Sequence, residues 1–407
     1  MTFPIFNLFR RLNFSQEILH NSSSNKVSPL LPMECIQQII EYLLQEKQGL
    51  YSSLLINRYW CKIVIPYLWK RPFELCSSKN RLKLFRTYLL CFDQEELDSL
   101  SIRMLDALYI FNIFPKKRNP LFDYFIFLQK VSSIEIEDII LPIYNKLAIN
   151  KTSKISLEYR NEIPKFEKII FHHIFKYSIN LNQFNLDHWM KGEVVPIDEG
   201  NNNHLVYPGL YGINKFKIKN IGVMVGGKSE LFEFISRFCM NMTCIEISLH
   251  TLDYLKENII KIINNLIKSQ KHLYEFSISH VSQINVIDPI MESLYSYQRK
   301  YLTTLSFTYV KFTEYSLNIL VKLERLNDLS LIFCANVTKN ILNQNLRLER
   351  LRILCVQSFH HMLLEILNVY GESLRVLDLN IHCKLFQKKI VALCPNIIEL
   401  NINSSLI

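Results

Sequence analysis

The residues whose spacing most suggests chemistry are Gly222-Val223-Met224-Val225-Gly226-Gly227-Lys228-Ser229, which satisfy the pattern G-x-x-x-x-G-K-[ST]. In such a loop the backbone amides wrap phosphates, the lysine reaches their outer oxygens and the hydroxyl ligates magnesium, roles that would fall to Lys228 and Ser229. The octet follows a strand-like run and opens a helix-like one, the context a phosphate loop requires. Against this, Val223, Met224 and Val225 are bulky where such loops are small or polar, and no apolar strand ending in an acidic residue follows closely. Val376-Leu377-Asp378 is far along the chain and belongs to a repeat described below, as do Phe216 and Ile218. A nucleotide-binding switch built on Gly222 to Ser229 is therefore the lesser reading.

Other catalytic constellations are weaker. His172-His173 and His360-His361 are adjacent pairs, and neighbours on a helix point about 100° apart, so neither forms an i, i+4 metal site. There is no G-x-S-x-G elbow, and nine glycines serve the whole chain, leaving few places for close backbone approach to a ligand. No catalytic residue, metal or cofactor is expected, and the chain is not expected to be an enzyme.

Composition narrows the class further. The 407 residues exceed the usual size of one compact domain, and a hydrophobic fraction of 49% permits extensive burial. The formal charge of +10 is spread along the chain rather than concentrated, so it calls for no nucleic-acid partner. The ten cysteines lie mostly in apolar stretches and include no CxxC pair, which suits small buried hydrophobes in a reducing compartment. No signal peptide is visible and no run approaches the ~20 apolar residues that span a bilayer. The expected location is cytoplasmic or nuclear, with no membrane partner. Lys116 to Arg118, between Pro115 and Pro120, reads as a solvated basic loop.

A chain without chemistry of its own acts through surfaces, and two segments present them. Pro29 and Pro32 break any earlier helix, and Pro32 is tolerated in a first helical turn. Ile36, Ile39, Ile40 and Leu43 then recur at helical spacing and predict one apolar stripe, with Glu34, Gln37, Gln38 and Glu41 on the other face. Gly49 marks a break, after which Leu50, Tyr51, Leu54 and Leu55 begin a second helix that Ile56 and Trp60 continue. Ile63, Val64 and Leu68 close the unit at Trp69. So small a unit cannot bury this many large apolar side chains internally, and the remainder predicts a partner.

The order Leu31-Pro32-Met33-Glu34, apolar stripe, Asn57-Arg58-Tyr59-Trp60 and Leu68-Trp69 resembles an F-box. The polar stretch Gln45 to Gln48 departs from that pattern. In this family the module docks a protein onto the Skp-type adaptor of a cullin ubiquitin ligase. The resemblance implies that Leu31, Pro32, Ile36, Ile39, Leu43 and Ile56 pack on the adaptor, whereas Trp60 and Trp69 occupy core or edge positions. The plain alternative is a helical cap that only closes the fold.

The rest of the chain repeats. Leu326-x-x-Leu329-x-Leu331-x-x-Cys334 is the clearest unit, followed by Leu273-x-x-Phe276-x-Ile278, Leu302-x-x-Leu305-x-Phe307, Leu348-x-x-Leu351-x-Ile353, Leu374-x-x-Leu377-x-Leu379 and Ile397-x-x-Leu400-x-Ile402. Looser copies are Val131-x-x-Ile134-x-Ile136, Leu181-x-x-Phe184-x-Leu186, Ile213-x-x-Phe216-x-Ile218 and Met242-x-x-Ile245-x-Ile247. From Phe216 onward the central residues fall 29, 31, 29, 24, 22, 26 and 23 positions apart, with helix-like stretches at Ser229 to Met240, Asp253 to Ser269, Thr313 to Leu323 and Phe359 to Tyr370. Apolar residues at alternate positions of each strand face the returning helix, and stacking the units makes a continuous core.

This periodicity is similar to that of divergent leucine-rich repeats. The expected architecture is α/β: a tail over 1–28, an F-box module over 29–75, a helical linker over 76–130, and over 131–407 a solenoid with a curved parallel sheet and outer helices. Accepting that register, the residues flanking each apolar pair line the outward face. They are Lys215, Lys217 and Lys219; Glu246 and Ser248; Glu275 and Ser277; Thr304, Ser306 and Thr308; Asp328 and Ser330; Arg350 and Arg352; Asp378 and Asn380; and Glu399, Asn401 and Asn403. This strip is expected to contact a target protein of unknown identity, and the whole chain to be the substrate-recognition subunit of an SCF-type ligase. A repeat scaffold not engaged with a ligase is the alternative.

Overall fold

The computed structural model describes residues 31–44, 47–77, 80–98, 100, 102–110, 120–149, 166–187, 207–219, 229–249, 257–281, 283–342, 346–354, 359–380 and 384–402. It opens with helices α1 Met33–Leu43, α2 Lys47–Ser53, α3 Arg58–Trp69, α4 Pro72–Leu75, α5 Arg81–Leu89, α6 Gln94–Asp98 and α7 Ile102–Ile110. The second expected helix is in fact two. Asn57 adopts an extended backbone and its side-chain oxygen accepts from the Trp60 amide at 2.9 Å, so a new helix starts at Arg58 instead of continuing from Leu54. Gly49 is not the break but lies inside α2, where a Cβ would come within 2.6 Å of Leu43 Cδ2. Of Gln45 to Gln48, residues 45 and 46 lie outside the described residues.

Ten strands form one all-parallel sheet in sequence order: β1 Lys130–Ser132, β2 Gln183–Leu186, β3 Lys215–Ile218, β4 Cys244–Ser248, β5 Glu275–Val281, β6 Thr304–Val310, β7 Asp328–Ile332, β8 Arg350–Leu354, β9 Val376–Leu379 and β10 Glu399–Ile402. Between strands run α8 Ser133–Ile149, α9 over 166–177, α10 Pro208–Tyr211, α11 Ser229–Phe238, α12 Glu257–Ser269, α13 Ile284–Ser293, α14 Glu314–Leu320, α15 Phe359–Tyr370 and α16 Lys384–Leu393. Strands bury every second residue: Phe216 and Ile218, Ile245 and Ile247, Phe276 and Ile278, Leu305 and Phe307. Residues between them stay partly exposed, so helices cover one face of the sheet and leave the other open.

Outside the strands the repeat is written in the backbone. The carbonyl of the residue before each strand accepts two successive amides of the next repeat, as Thr243 does from Tyr274 and Glu275 and Tyr274 from Thr303 and Thr304. This fork recurs at nine junctions from Gln129 to Arg375. Buried glutamines add side-chain rungs: Gln270 accepts from the Met242 amide at 2.9 Å, and Gln298 accepts from Leu273 at 3.1 Å while donating to Ile267 and Gln270 carbonyls. Each satisfies a backbone group that burial would otherwise strand.

The first repeat differs from its expected register. Val131, not Ile134, pairs with Phe184, and Ile134 and Ile136 lie in α8. The unit therefore reads Leu128-x-x-Val131-x-Ser133, with a serine at the second apolar position whose hydroxyl accepts the Asp187 amide at 3.0 Å. Ser132-x-x-Glu135 starts α8, the Glu135 carboxylate accepting from the Ser132 amide at 2.9 Å as in a capping box.

The helical module closes the sheet's first edge. The Lys70 carbonyl accepts from the Gln129 amide at 2.9 Å, which extends the inter-repeat hydrogen bonding by one step. Lys130 pairs with Glu74, and Arg81 with Asp138. Trp69 packs on Tyr124 and Tyr88 with ring centroids 4.1 and 5.0 Å away. One hydrophobic cluster consequently runs from Ile36 to Cys394.

Candidate interaction surfaces

The opening helices divide their apolar residues between two environments. Ile36 is 1% exposed and Ile40 is enclosed, facing the core with Leu50, Leu54 and Val64. Ile36 was expected on the docking surface, and its burial corrects that assignment: the stripe is wide enough that its middle packs inward. Leu31, Pro32, Ile39 and Ile56 are exposed as expected, Ile39 by 37% and Ile56 by 58%, and Leu43 is half-buried. Tyr42, Leu44 and Leu55, not anticipated, are exposed too, Tyr42 by 72%. Cys35, Ile39 and Tyr42 at i, i+4 and i+7 share one side of α1.

On the open face of the sheet, parallel register sets Lys217, Glu246, Ser277, Ser306, Ser330, Arg352, Asp378 and Asn401 side by side. A neighbouring row holds Lys215, Glu275, Thr304, Asp328 and Arg350. Much of the charge is paired between adjacent strands: Lys217 with Glu246, Arg350 with Asp328 at 3.0 Å, and Arg352 with Asp378 at 2.7 Å. Burial raises the Asp328 carboxyl above its usual range despite Arg350. Three residues expected to be exposed are not: Ser248, Ser330 and Asp378 are buried. Asp378 is 5% exposed, accepting from Arg352 and from the Asn401 amide at 2.8 Å, and the buried Ser330 hydroxyl has no hydrogen-bond partner among the described residues. Small strand residues beside long arginines lose their exposure to them. Asn380 ends the strip at intermediate exposure, and Asn403 lies outside the described residues.

A third feature has no signal in the repeat pattern. His280, Tyr309 and Phe333 occupy matching positions at the C-terminal ends of β5, β6 and just past β7, with φ of 63°, 54° and 51°. A left-handed residue there keeps two successive side chains outward before Val281, Val310 or Cys334 returns to the core. Their rings stack: His280 on Tyr309 at 5.0 Å and 25°, Tyr309 on Phe333 at 4.7 Å and 3°. Tyr309 is 47% exposed and Phe333 37%.

The remaining candidates are structural. His173 is buried, stacks on Phe92 at 4.2 Å and lies 2.7 Å from the Glu96 carboxylate, joining α9 to α6. His172 Nδ1 is 3.4 Å from the Tyr207 hydroxyl. Cys61, Cys239, Cys334 and Cys394 are buried, and burial lifts each thiol above its ordinary value. Gly222 to Lys228 and the basic turn Lys116 to Arg118 lie outside the described residues, as do the His360 and His361 side chains. Among the described residues no group of three His, Cys, Asp or Glu could hold a metal ion, and no helix is long and apolar enough to cross a membrane.

Comparison with known proteins leaves these surfaces to be read on their own terms: no protein-family model and no curated protein matches the chain.

Proposed function

We propose that the chain is a non-catalytic substrate receptor of an SCF-type ubiquitin ligase. Its opening helices are an F-box that binds a Skp-type adaptor, and its sheet is a leucine-rich-repeat solenoid whose open face binds the target. The observation that carries this reading is the set of exposed apolar side chains on the opening helices, Leu31, Ile39, Tyr42, Leu44, Leu55 and Ile56. Large apolar residues concentrated on one small unit favour a partner that removes them from water, at about 25 cal/mol for each Å² covered. The mechanism is proximity: holding a target lysine near a charged ubiquitin carrier raises its effective concentration, and the bond-making groups belong to other subunits.

Mixing the purified chain with a Skp-type adaptor and resolving the mixture by size-exclusion chromatography tests the first half. Co-elution of wild type, lost in Ile56→Glu, supports the reading, and separate elution of a folded wild type overturns it. A second reading, a scaffold whose helical cap engages no ligase, is favoured by the way Lys70 and Trp69 close the first edge of the sheet. It predicts separate elution in the same experiment.

A further inference from the structure

We propose that the His280, Tyr309 and Phe333 ladder is the anchor for the target, and that it takes an acidic peptide segment in which a carboxylate neighbours an apolar residue. The inference rests on the reading of the open face as target-binding and names the chemistry of what binds there.

Three observations point to a used side chain rather than a convenient turn. A left-handed backbone costs a non-glycine residue on the order of 1 kcal/mol or more, and glycine would remove that strain. The chain instead places an aromatic ring at three successive strands. Stacking on neighbours returns part of the cost, yet it does not require exposure, and Tyr309 and Phe333 remain well exposed. Because Tyr309 has a ring on either side, its edge and hydroxyl are what it presents outward.

The surroundings define the occupant. Aromatic edges are the positive part of the ring quadrupole and favour anions over cations. Hydroxyls of Ser279, Thr308 and Tyr309 and the imidazole of His280, whose Nδ1 lies 3.5 Å from the buried Ser248 hydroxyl, supply hydrogen-bonding groups at this end of the sheet, and Lys311 is exposed two residues beyond Tyr309. Among the described residues 248–249, 279–281, 308–312 and 332–336 there is no carboxylate. Ile332 and Leu354, paired in register and partly exposed, supply the apolar floor next to Phe333. Of the open-face carboxylates, Glu275 and Asp328 sit toward the other end of the strands, and the nearer Glu246 and Asp378 are each paired with a cation, Lys217 and Arg352.

The test selects a displayed random dodecapeptide library against the full chain and measures enriched synthetic peptides by fluorescence anisotropy. Wild type is expected to enrich peptides with Asp or Glu beside an apolar residue. Tyr309→Gly and Phe333→Gly, which delete the ring while suiting the backbone, should weaken them by about tenfold or more, and Lys322→Ala, exposed in the turn after α14 and away from the open face, should leave them unchanged. Should either glycine variant melt early, Tyr309→Asn and Phe333→Asn serve in its place, since asparagine tolerates the same backbone. Enriched peptides that survive the ladder substitutions but weaken with Arg350→Ala or Arg352→Ala overturn the ladder and keep the open face as target surface. Enrichment of basic peptides overturns the acidic assignment, and the absence of enrichment, or binding indifferent to every variant, overturns both.

Discussion

Ile39 and Ile40 are neighbours on α1, yet Ile39 is 37% exposed and Ile40 is fully enclosed. Successive helical residues diverge by about 100°, so one turn of helix serves the core and the outer surface at once. The pair makes the two roles separable. Ile39→Glu should leave the thermal midpoint nearly unchanged while abolishing adaptor binding, whereas Ile40→Ala should cost about 2 to 5 kcal/mol of stability. Chemical denaturation of both variants, alongside an adaptor pull-down, checks this.

The two arginine pairs of the open face should differ. Asp378 is enclosed beneath Arg352, so Arg352→Ala leaves a buried carboxylate with the Asn401 amide as its remaining neutral donor among the contacts found. That loss should cost about 1 to 3 kcal/mol. The Arg350 side chain is half exposed in its pair with Asp328, and Arg350→Ala should cost no more than about 1 kcal/mol. Equal losses in urea denaturation would refute the distinction.

Glu135 gives the fold a pH dependence. Burial raises its carboxyl from the ordinary 4.5 to about 7, the Ser132 amide opposing and Glu74 adding to the rise. A carboxyl that holds its proton more tightly when folded contributes stability in full below about 4.5, and that contribution is lost as pH rises through about 7. Glu135→Gln, which keeps the capping geometry, should flatten the decline in stability between pH 5 and 8 by up to about 3 kcal/mol. Denaturation curves for both proteins across that range supply the comparison.

Deleting residues 29–75 should do more than remove the surface proposed to bind the adaptor. Trp69 and Phe73 pack on Tyr88 and Tyr124 in the core that continues into β1, and the Lys70 carbonyl serves Gln129. The truncated chain is expected to be aggregation-prone, with a lowered thermal midpoint, because large aromatics lose their cover. An unchanged midpoint would mean that the rest of the chain does not depend on the module for its stability.

Much of the fold was legible because its signal is periodic. Alternating burial at Phe276 and Ile278 or Leu305 and Phe307 follows from apolar spacing that a parallel strand under a helix demands. The signal failed where one repeat uses a polar residue: Ser133 stands at the second apolar position, so apolar spacing alone places the repeat three residues late, on Ile134 instead of Val131. It failed again at Asn57, whose capping oxygen divides an apolar run that spacing alone joins. At the surfaces, sequence identified Ile39, Ile56 and the arginines but not which stripe residue turns inward, as Ile36 does. The aromatic ladder was invisible, since left-handed backbone is ordinarily signalled by glycine or asparagine, and here it is carried by His280, Tyr309 and Phe333.

The central claim is that the opening helices are incomplete without a second polypeptide. Calorimetric titration of a purified Skp-type adaptor into the full chain and into Ile39→Glu/Ile56→Glu tests it most directly. The account predicts saturable one-to-one binding with a negative heat-capacity change, weakened roughly a hundredfold or more in the double variant. Absence of binding to the folded wild type, or equal affinity for both proteins, would contradict it.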